Sequence, residues 1–444
     1  MALIQDGRET RLPPGPRAPA LVQAMQLHRR PIGWVEDMWR RHGDVFTGRF
    51  PYFGRVVYVA DPAVVKEVFT GDPAVMHAGE ANAGPLGPVM GRYSLLTLDD
   101  EPHMQQRKLL LPPFHGESVR RYCEVMAEAA EREIDTWPVG KPFALREAMQ
   151  RITLEVILRA VFGVRDEARR REFERAIVPL GDVSNAIIWI PFLRRLSFVR
   201  RRDEARIGAV DRLIYDEIAA RRAAPDASER DDVLSLLLAA RHEDGSPMSD
   251  QELRDELMTL LGAGHETTAT GLAWTFERLL RTPAVLDELL GRPDDDAYLD
   301  AVVKESLRVR PVITDVARVL TRDTEIGGHT LPARTLVLCA ISVLSTRPDA
   351  YPDPHEFRPE RFLEGAPEPY TWIPFGGGVR RCIGAAFAQQ EMKIVLRTIL
   401  ARVRLSAPDP APEKPRVRHV TVVPHRGARV VVEERLAAPA GAAA

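Results

Sequence analysis

A run around Cys382 constrains this chain more than any other feature, because it combines three successive glycines, two arginines and a single cysteine. Residues 375–384 are Phe-Gly-Gly-Gly-Val-Arg-Arg-Cys-Ile-Gly, and the pattern that follows predicts a helix over residues 385–400. Backbone N–H groups left free by glycines, together with the start of a helix, stabilise a negative charge beside them. The run therefore places Cys382 to bind a metal ion as a thiolate.

Three other interpretations of this cysteine are weaker. A buried structural cysteine is the commonest fate of a thiol, but it does not require three glycines and two arginines around it. A zinc site needs clustered partners, and Cys123 and Cys339 have no Cys-x-x-Cys spacing. A phosphate-binding loop fails as well, since the run lacks both the spaced third glycine of a dinucleotide loop and the Lys-Ser/Thr of a P-loop.

The composition is that of an ordinary globular chain long enough to bury a cofactor. It has 444 residues, of which 45% are hydrophobic and 28% charged. The formal net charge of -2 gives no argument for a nucleic-acid partner. Three cysteines, an odd number without a pairing pattern, favour the reducing cytoplasm. Only six of the 61 basic residues are lysine, which favours a GC-rich bacterial source.

The chain is expected to form one domain over residues 17–435. Residues 1–16 form an N-terminal segment with a proline-rich hinge, and this segment has no apolar run suited to a signal peptide or membrane anchor. The alanine-rich tail, 436–444, is predicted to be disordered. An apolar stretch at 187–192 indicates either a lid over a binding pocket, which is favoured, or contact with a membrane surface.

The secondary-structure pattern predicts a mainly α fold with small β-sheets, an α+β class. Residues 56–59 read as a strand in a hairpin with 44–50, and the pattern is mostly helical from there to about residue 240. Strand patterns return at 325–337 and 419–432. Glycine and proline crowd into residues 79–91, which predicts a mobile loop.

A long central helix is predicted from Ser249 to Arg281. Ser249 and Glu252 form a capping-box pattern at its start, and a Thr-Pro pair ends it. Its middle is weakened by poor helix formers, since two glycines and two adjacent threonines lie within residues 262–268. This weak point is either a notch where another element packs closely or a functional groove, and the second is favoured.

Two of these patterns resemble those of a known family. The pattern Phe-x-x-Gly-x-Arg-x-Cys-x-Gly, filled at every fixed position by residues 375–384, resembles the haem-ligand signature of the cytochrome P-450 superfamily. Residues 263–268, Ala-Gly-His-Glu-Thr-Thr, resemble its acid–alcohol motif. The resemblance runs from residue 12 to about 432, and residues 370–374 look like those of a soluble bacterial subgroup. It implies the cytochrome P-450 fold with the long central helix over haem b.

The resemblance also implies roles for individual residues. Cys382 would be the iron ligand, Thr267 would hydrogen-bond dioxygen, and Glu266 would relay protons, whereas His265 would face a neighbouring helix or solvent. The residues implied to bind the cofactor are His103, Arg107, Arg318, Arg380, Phe375, Ala263, Gly264 and Gly384. A structural triad would comprise Glu305, Arg308 and Arg361. The position of His103 is tryptophan in a common anchored type, and here the chain departs from that type.

The implied activity is that of a haem-thiolate monooxygenase. It would insert one oxygen atom from dioxygen into a hydrophobic lipid, terpenoid, steroid or secondary metabolite, by hydroxylation or epoxidation. The remaining residues hold no room for a flavin, iron–sulfur or nicotinamide domain, so electrons would come from a separate ferredoxin or flavodoxin-type donor with its reductase. The cations that could dock this donor are Lys108, Arg120, Arg121 and Arg381.

The substrate pocket is expected to be apolar, in a protein that is expected to be a monomer. Its predicted lining residues are Leu95, Leu96, Leu260, Val312, Ile313 and Val316. Thr314 and Asp315 could recognise one polar group of the substrate, although a role in stabilising their loop is favoured. Two other functions are considered: a peroxygenase driven by hydrogen peroxide, and a haem-binding sensor or scavenger without turnover.

Overall fold

Helices account for most of the chain up to residue 309. The structure, a computed structural model, describes residues 12–114, 116–182, 197–226 and 229–437. Its helices are α1 (Ala20–Arg29), α2 (Pro31–His42), α3 (Pro62–Thr70), α4 (Ala78–Met90), α5 (Asp100–Leu110), α6 (Glu117–Arg120), α7 (Cys123–Asp135), α8 (Leu145–Ala160), α9 (Glu167–Ile177), α10 (Ser197–Ala223), α11 (Val233–Ala239), α12 (Asp250–Leu279), α13 (Pro283–Gly291), α14 (Asp296–Val309), α15 (Ile341–Leu344), α16 (Arg361–Glu364) and α17 (Ala385–Arg402).

Small β-sheets accompany these helices. The strands within the described ranges are β1 (Val45–Phe50), β2 (Gly54–Val59), β3 (Met76–His77), β4 (Phe143–Ala144), β5 (Val316–Leu320), β6 (Thr324–Ile326), β7 (His329–Leu331), β8 (Leu336–Cys339), β9 (Val403–Ser406), β10 (Pro415–Arg418), β11 (Thr421–Pro424) and β12 (Arg429–Arg435). The largest sheet has the order β1-β2-β8-β5-β3, and the others are β4-β12-β9, β10-β11 and β6-β7. The predicted mainly α fold with small sheets is confirmed.

The five-stranded sheet contains the predicted hairpin. β1 and β2 pair antiparallel from Val45 with Val59 to Phe50 with Gly54. β8 lies parallel to β2, and β5 runs antiparallel to β8. This arrangement fixes β5, and with it Arg318 and the loop that precedes the strand.

The proline-rich segment near the start of the described chain lies against this sheet. Thr47 donates from its backbone N–H to Pro14 O and from its hydroxyl to Pro13 O, both at 2.8 Å. A Cβ at Gly15 would lie 1.9 Å from Thr47 O, so only glycine permits this approach. The segment is therefore held to β1 at two consecutive residues.

The central helix α12 is continuous over 30 residues, or about 45 Å. The predicted capping box is present: the Glu252 N–H donates to Ser249 Oγ at 3.2 Å, and the Ser249 N–H donates to a Glu252 carboxylate oxygen at 2.7 Å. The helix ends at Leu279, two residues before the predicted end. It packs against α8, α14 and α17, so most of its surface is buried.

The prediction of a mobile loop at residues 79–91 is wrong, because these residues lie almost wholly within α4. The backbone N–H groups of Gly79 and Glu80 donate to the two carboxylate oxygens of Asp99 at 2.8 and 2.7 Å. A carboxylate at a helix N-terminus satisfies free N–H groups and interacts favourably with the helix dipole. Asp99 thus stabilises a helix whose own sequence, with Pro85 and Pro88 inside, disfavours one.

Two predictions concern segments that the structure does not describe. The apolar stretch 187–192 and the tail from residue 438 onwards both lie outside the described residues. Among the helices that are described, none is both long and apolar enough to cross a membrane.

Candidate functional site

The loop that carries Cys382 is shaped by its glycines. Gly376 and Gly378 have φ values of 66° and 62°, a left-handed conformation that favours glycine. A Cβ at Gly378 would lie 2.0 Å from the backbone oxygen of Phe69 in α3. The Cys382 N–H donates to Phe375 O at 2.9 Å and closes the loop. The glycines therefore allow the loop to pack directly on α3 and fix where the thiol lies.

The Cys382 thiol is accessible although protein surrounds it. Cys382 is exposed, yet burial raises the pKa of its thiol, and we infer from this combination an enclosed space beside the thiol, here called the cavity. The backbone N–H of Gly384 and the charges of Arg107 and Arg381 act in the opposite direction and lower this pKa. A thiol enclosed by protein and surrounded by a hydrogen-bond donor and two cations is suited to bind a cation as thiolate.

A cluster of cationic side chains lies beside the thiol. Burial first, and then the positive charges of Arg380, Arg107 and Arg318, lower the pKa of His103 to about 3. That effect places the three arginines close to one buried imidazole. Arg318 and Arg380 themselves have lowered pKa values, chiefly because of burial. Several cations this close together in a protein interior need anionic partners.

The described residues supply anionic partners for only some of these cations. Arg380 forms an ion pair with Asp99 and donates to the backbone oxygens of Leu98 and Leu95 at 2.6 and 3.3 Å. Arg318 donates to Ala317 O at 2.8 Å, and no acidic residue of the described chain lies within ion-pair distance of it. A cofactor with two carboxylates and a metal would satisfy the arginines and the thiol together, so these residues fit haem.

The central helix has one exposed residue within its buried middle section. Ala263 is exposed, although its neighbours along α12 are buried or partly buried. The glycines on either side of Ala263 lie against neighbouring helices. A Cβ at Gly262 would lie 2.7 Å from the Met90 side chain, and one at Gly264 would lie 2.7 Å from the Ile157 side chain. The predicted packing notch is therefore present, because the two glycines admit neighbouring helices, and the groove stays a prediction.

Two threonines follow in the same turn of α12. Thr267 donates from its hydroxyl to Ala263 O at 2.6 Å, and Thr268 donates to Gly264 O at 3.0 Å. Thr268 is buried, whereas Thr267 is only partly buried. Because its proton is engaged with the helix, the Thr267 hydroxyl oxygen is free to accept a hydrogen bond.

Glu266 lies in a polar cluster that links three elements. Its carboxylate is 3.4 Å from Arg146 Nη1 and 3.2 Å from Gln150 Nε2, both on α8, and 3.8 Å from Arg418 Nε on β10. The neighbouring His265 faces its own helix, with Nδ1 2.8 Å from Leu261 O, and burial lowers its pKa. The side chain of Glu266 is thus held by partners on α8 and β10.

The residues of the predicted triad are brought together behind the cysteine loop. Glu305 accepts from Arg308 at 2.7 and 2.8 Å and from Arg361 Nε at 3.0 Å. Arg308 also donates to three backbone oxygens, those of Ser345, Pro354 and Glu356. The guanidinium therefore ties α14 to the segments that lead into the cysteine loop.

The predicted pocket residues differ in their exposure. Leu95, Leu260 and Val312 are nearly buried and belong to one apolar cluster, while Leu96, Ile313 and Val316 are partly accessible. The Val422 N–H donates to Val312 O at 2.8 Å, so β11 lies against the loop that holds Val312. Phe375 packs against the same apolar cluster, 6.3 Å from the ring of Trp372.

Comparisons with known proteins agree with this geometry. The Cytochrome P450 family model matches residues 12–432. The putative cytochrome P450 135B1 of Mycobacterium tuberculosis is 46% identical over 435 residues, which cover 95% of this chain and 91% of that protein. The putative cytochrome P450 135A1 of the same organism is 40% identical over 438 residues, which cover 96% and 97%. This chain belongs to the cytochrome P450 family.

Solved structures show the same fold. The haem domain of cytochrome P450DA aligns with this cytochrome P450 at a TM-score of 0.85 and 25% identity, over 96% of this chain and 98% of that one. The retinoic acid-bound cyanobacterial CYP120A1 aligns at 0.83 and 24% identity, over 96% and 100%. The predicted resemblance is confirmed, and with it the monooxygenase class and the haem b cofactor. Within the described ranges no group of three metal-binding side chains is present that could support the zinc alternative.

Sequence reasoning missed several residues at the site of this cytochrome P450. Asp99 pairs with Arg380 and also caps α4, and its place in the acidic run before α5 was the only local signal. Arg146, Gln150 and Arg418 surround Glu266 from positions more than a hundred residues away in the chain. No spacing rule connects such distant side chains, so only the fold reveals them.

Proposed function

We propose that Cys382 is the iron ligand of this cytochrome P450 and that the enzyme hydroxylates or epoxidises a hydrophobic small molecule such as a lipid, terpenoid, steroid or secondary metabolite. The accessible thiol within an enclosed, cation-lined cavity carries this proposal. Bound haem supplies the activation of dioxygen and the transfer of one oxygen atom to a C–H or C=C bond. The protein supplies the thiolate, the protons and the shape of the pocket.

The cations are proposed to hold the cofactor's carboxylates. Arg107, Arg318 and Arg380 lie around His103, and among the described residues no acidic side chain is within ion-pair distance of Arg318. His103 stays neutral at physiological pH because its pKa is depressed. A neutral imidazole can still donate one hydrogen bond to a carboxylate, while the arginines contribute charge and paired donors. Ala263, Gly264, Phe375 and Gly384 would then contact the faces and edge of the ring.

Protons are proposed to reach the cavity through Glu266 and Thr267. The Glu266 carboxylate is held by Arg146 and Arg418, and rotation away from them would carry a proton towards the cavity wall. The Thr267 hydroxyl oxygen can accept a hydrogen bond from a protonated group or water there, since its own proton is engaged with Ala263 O. The pair would thus join a solvated cluster to a dry cavity.

Electrons are proposed to arrive from a separate ferredoxin or flavodoxin-type protein. Arg381 is exposed next to Cys382, and Arg120 and Arg121 are exposed on the neighbouring surface. Lys108 is exposed too, although it pairs with Glu243 at 2.7 Å. An acidic donor would be attracted to this face, and docking there would shorten the path to the thiolate side. The protein is further proposed to act as a cytoplasmic monomer in bacterial secondary metabolism.

The function is tested by turnover with a ferredoxin, its reductase and ¹⁸O-labelled dioxygen. One labelled oxygen atom in each product molecule is the expected result. Turnover driven by hydrogen peroxide that exceeds reductase-driven turnover, and that survives Thr267→Ala, would favour a peroxygenase instead. Product formation of any kind that depends on dioxygen excludes a sensor or scavenger.

A further inference from the structure

A surface pocket lies between the proline-rich segment and the hairpin of β1 and β2. Its volume is about 180 Å³, and it is lined by residues from the range 12–16 on one side and by Thr47, Arg49 and Arg55 on the other. None of these residues belongs to the site around Cys382. The pocket is therefore a separate feature of the fold.

The walls of this pocket are fixed by hydrogen bonds. Thr47 holds the proline-rich segment through its backbone N–H and its hydroxyl. The wholly buried side chain of Gln23 donates to Ala18 O at 2.7 Å and to Pro16 O at 3.3 Å, and it accepts from the Arg49 N–H at 3.0 Å. One amide thus joins both walls of the pocket, and a ligand would bind there with little cost in ordering the main chain.

Two arginines stand opposite each other in the strand wall. Arg49 on β1 pairs directly with Arg55 on β2 in the antiparallel register, two positions along β1 from Thr47. Both side chains are exposed. Like charges placed directly opposite each other on neighbouring strands are destabilising. The pocket therefore concentrates positive charge at a cost in stability.

This charge is not balanced by neighbouring acids. Among the described residues no acidic side chain forms an ion pair with Arg49 or Arg55. The stretches 12–35 and 45–60, which form the pocket and the elements next to it, contain no aspartate or glutamate. Two guanidinium groups without a counter-charge, at the wall of a fixed pocket, are suited to bind an anion.

A structural role accounts for only one of the two arginines. β1 is the edge strand of its sheet, and a charged residue such as Arg49 discourages pairing with another chain. Arg55 lies on β2, which is paired on both sides and needs no such protection. The direct opposition of the two charges is better explained by a shared ligand.

We propose that the pocket bounded by Arg49 and Arg55 binds a phosphate group. A phosphate monoester carries about 1.5–2 negative charges at pH 7 and has three free acceptor oxygens, which match two guanidinium forks in charge and in donors. A carboxylate offers one charge and two oxygens, so it satisfies the two forks less completely. The group belongs either to a soluble phosphate ester or to a lipid headgroup, and these sources are distinguished by experiment.

The first arm of the test is the calorimetric titration of the haem-loaded enzyme with methyl phosphate at constant ionic strength. Bound haem keeps its carboxylates on the arginines proposed to hold them. Arg49→Gln and Arg55→Gln should each weaken binding about tenfold or more, because each removes charged hydrogen bonds to the phosphate. Arg41→Gln removes an exposed arginine of α2 outside the pocket, and as the matched control it should bind like the wild type.

The second arm is flotation with phosphatidylcholine vesicles that contain or lack phosphatidic acid, whose headgroup is also a phosphate monoester. Binding of methyl phosphate that depends on Arg49 and Arg55 identifies a soluble ester as the ligand. Flotation with phosphatidic acid that depends on them, without binding of methyl phosphate, identifies a lipid headgroup. Both results support the phosphate site. Absence of binding in both arms, or binding that both variants retain, overturns the inference.

The unfolding temperature separates a ligand site from a structural role. In phosphate-free buffer Arg55→Gln should unfold at a higher temperature than the wild type, because the variant lacks the repulsion between the two arginines. Added inorganic phosphate should raise the unfolding temperature of the wild type and of Arg41→Gln more than that of Arg55→Gln. An equal rise in all three proteins, or a variant less stable than the wild type without phosphate, would contradict the inference.

Discussion

Arg308 and Glu305 form a bidentate ion pair that is wholly excluded from solvent, with N–O distances of 2.7 and 2.8 Å. Both carboxylate oxygens of Glu305 are thereby engaged, and Arg361 shares one of them at 3.0 Å. Breaking a buried pair by removing one partner leaves the other charge uncompensated. The pair therefore holds the scaffold behind the cysteine loop in one arrangement.

Removing one charge of this pair should destabilise the protein strongly. Glu305→Gln is expected to lower the free energy of unfolding by about 3–5 kcal/mol, because Arg308 and Arg361 lose their buried counter-charge. Urea unfolding measures the loss of stability, and the ratio of haem to protein absorbance measures haem incorporation. Glu288→Gln, which breaks the surface pair with Arg292, is the control and should leave stability and haem incorporation unchanged. Equal behaviour of the two variants would contradict a structural role for the triad.

Substitutions at two glycines of the cysteine loop distinguish the cost of a strained backbone from the cost of a steric clash. Gly376 and Gly378 both have positive φ, but only at Gly378 would a Cβ meet another group, the Phe69 backbone oxygen at 2.0 Å. Gly376→Ala should therefore cost about 1–2 kcal/mol of stability and retain haem. Gly378→Ala should abolish haem binding, because backbone atoms cannot move aside. Haem content after purification is the measurement, and retention by Gly378→Ala would refute the close packing on α3.

Thr267 and Thr268 form a matched pair for the proton pathway. Each hydroxyl donates to a carbonyl one turn earlier, but only Thr267 is accessible from the cavity. Thr267→Ala is expected to lower the fraction of electrons recovered in product, whereas Thr268→Ala should keep that fraction. Product and consumed reductant are counted in the same reaction. A loss in Thr268→Ala as large as that in Thr267→Ala would assign both hydroxyls to helix structure.

The buried carboxyl group of Glu256 should make the free energy of unfolding depend on pH. Burial raises the pKa of this α12 residue from 4.5 to about 8, and the negative charges of Asp255 and Glu252 add to that effect, while the backbone N–H of Leu95 opposes it. The folded state therefore holds a proton between pH 4.5 and about 8 that the unfolded state releases. Stability contributed by this group is present below pH 4.5 and is lost as pH rises through that window, by at most about 1.4 kcal/mol per pH unit.

Glu256→Gln removes this proton and leaves the shape of the side chain. The free energy of unfolding of the variant should decline less steeply than that of the wild type between about pH 5 and 8, the range in which this one carboxyl group titrates. Urea titrations at several pH values measure this decline. Glu288→Gln, which changes a carboxyl on the surface, is the comparison variant. Parallel curves for wild type and Glu256→Gln would show that the carboxyl is charged in the folded protein.

Local sequence signals predicted the parts of the site that are built from neighbouring residues. The capping box of α12 and the glycine loop before Cys382 depend on residues a few positions apart, so propensity and backbone geometry suffice to find them. The helix α4 was missed because its N–H groups are satisfied by Asp99, 20 residues away from Gly79. The partner Arg146 lies 120 residues from Glu266, which no periodicity can reveal.

The central claim is that Cys382 binds haem iron as a thiolate. The most direct measurement is the carbon monoxide difference spectrum of the dithionite-reduced protein, recorded beside Cys382→Ala. The wild type is expected to show a Soret band at the long wavelength that is diagnostic of thiolate ligation, and the variant is expected to lack it. A folded, haem-loaded wild-type protein with only the shorter-wavelength band, or the long-wavelength band persisting in Cys382→Ala, would contradict it.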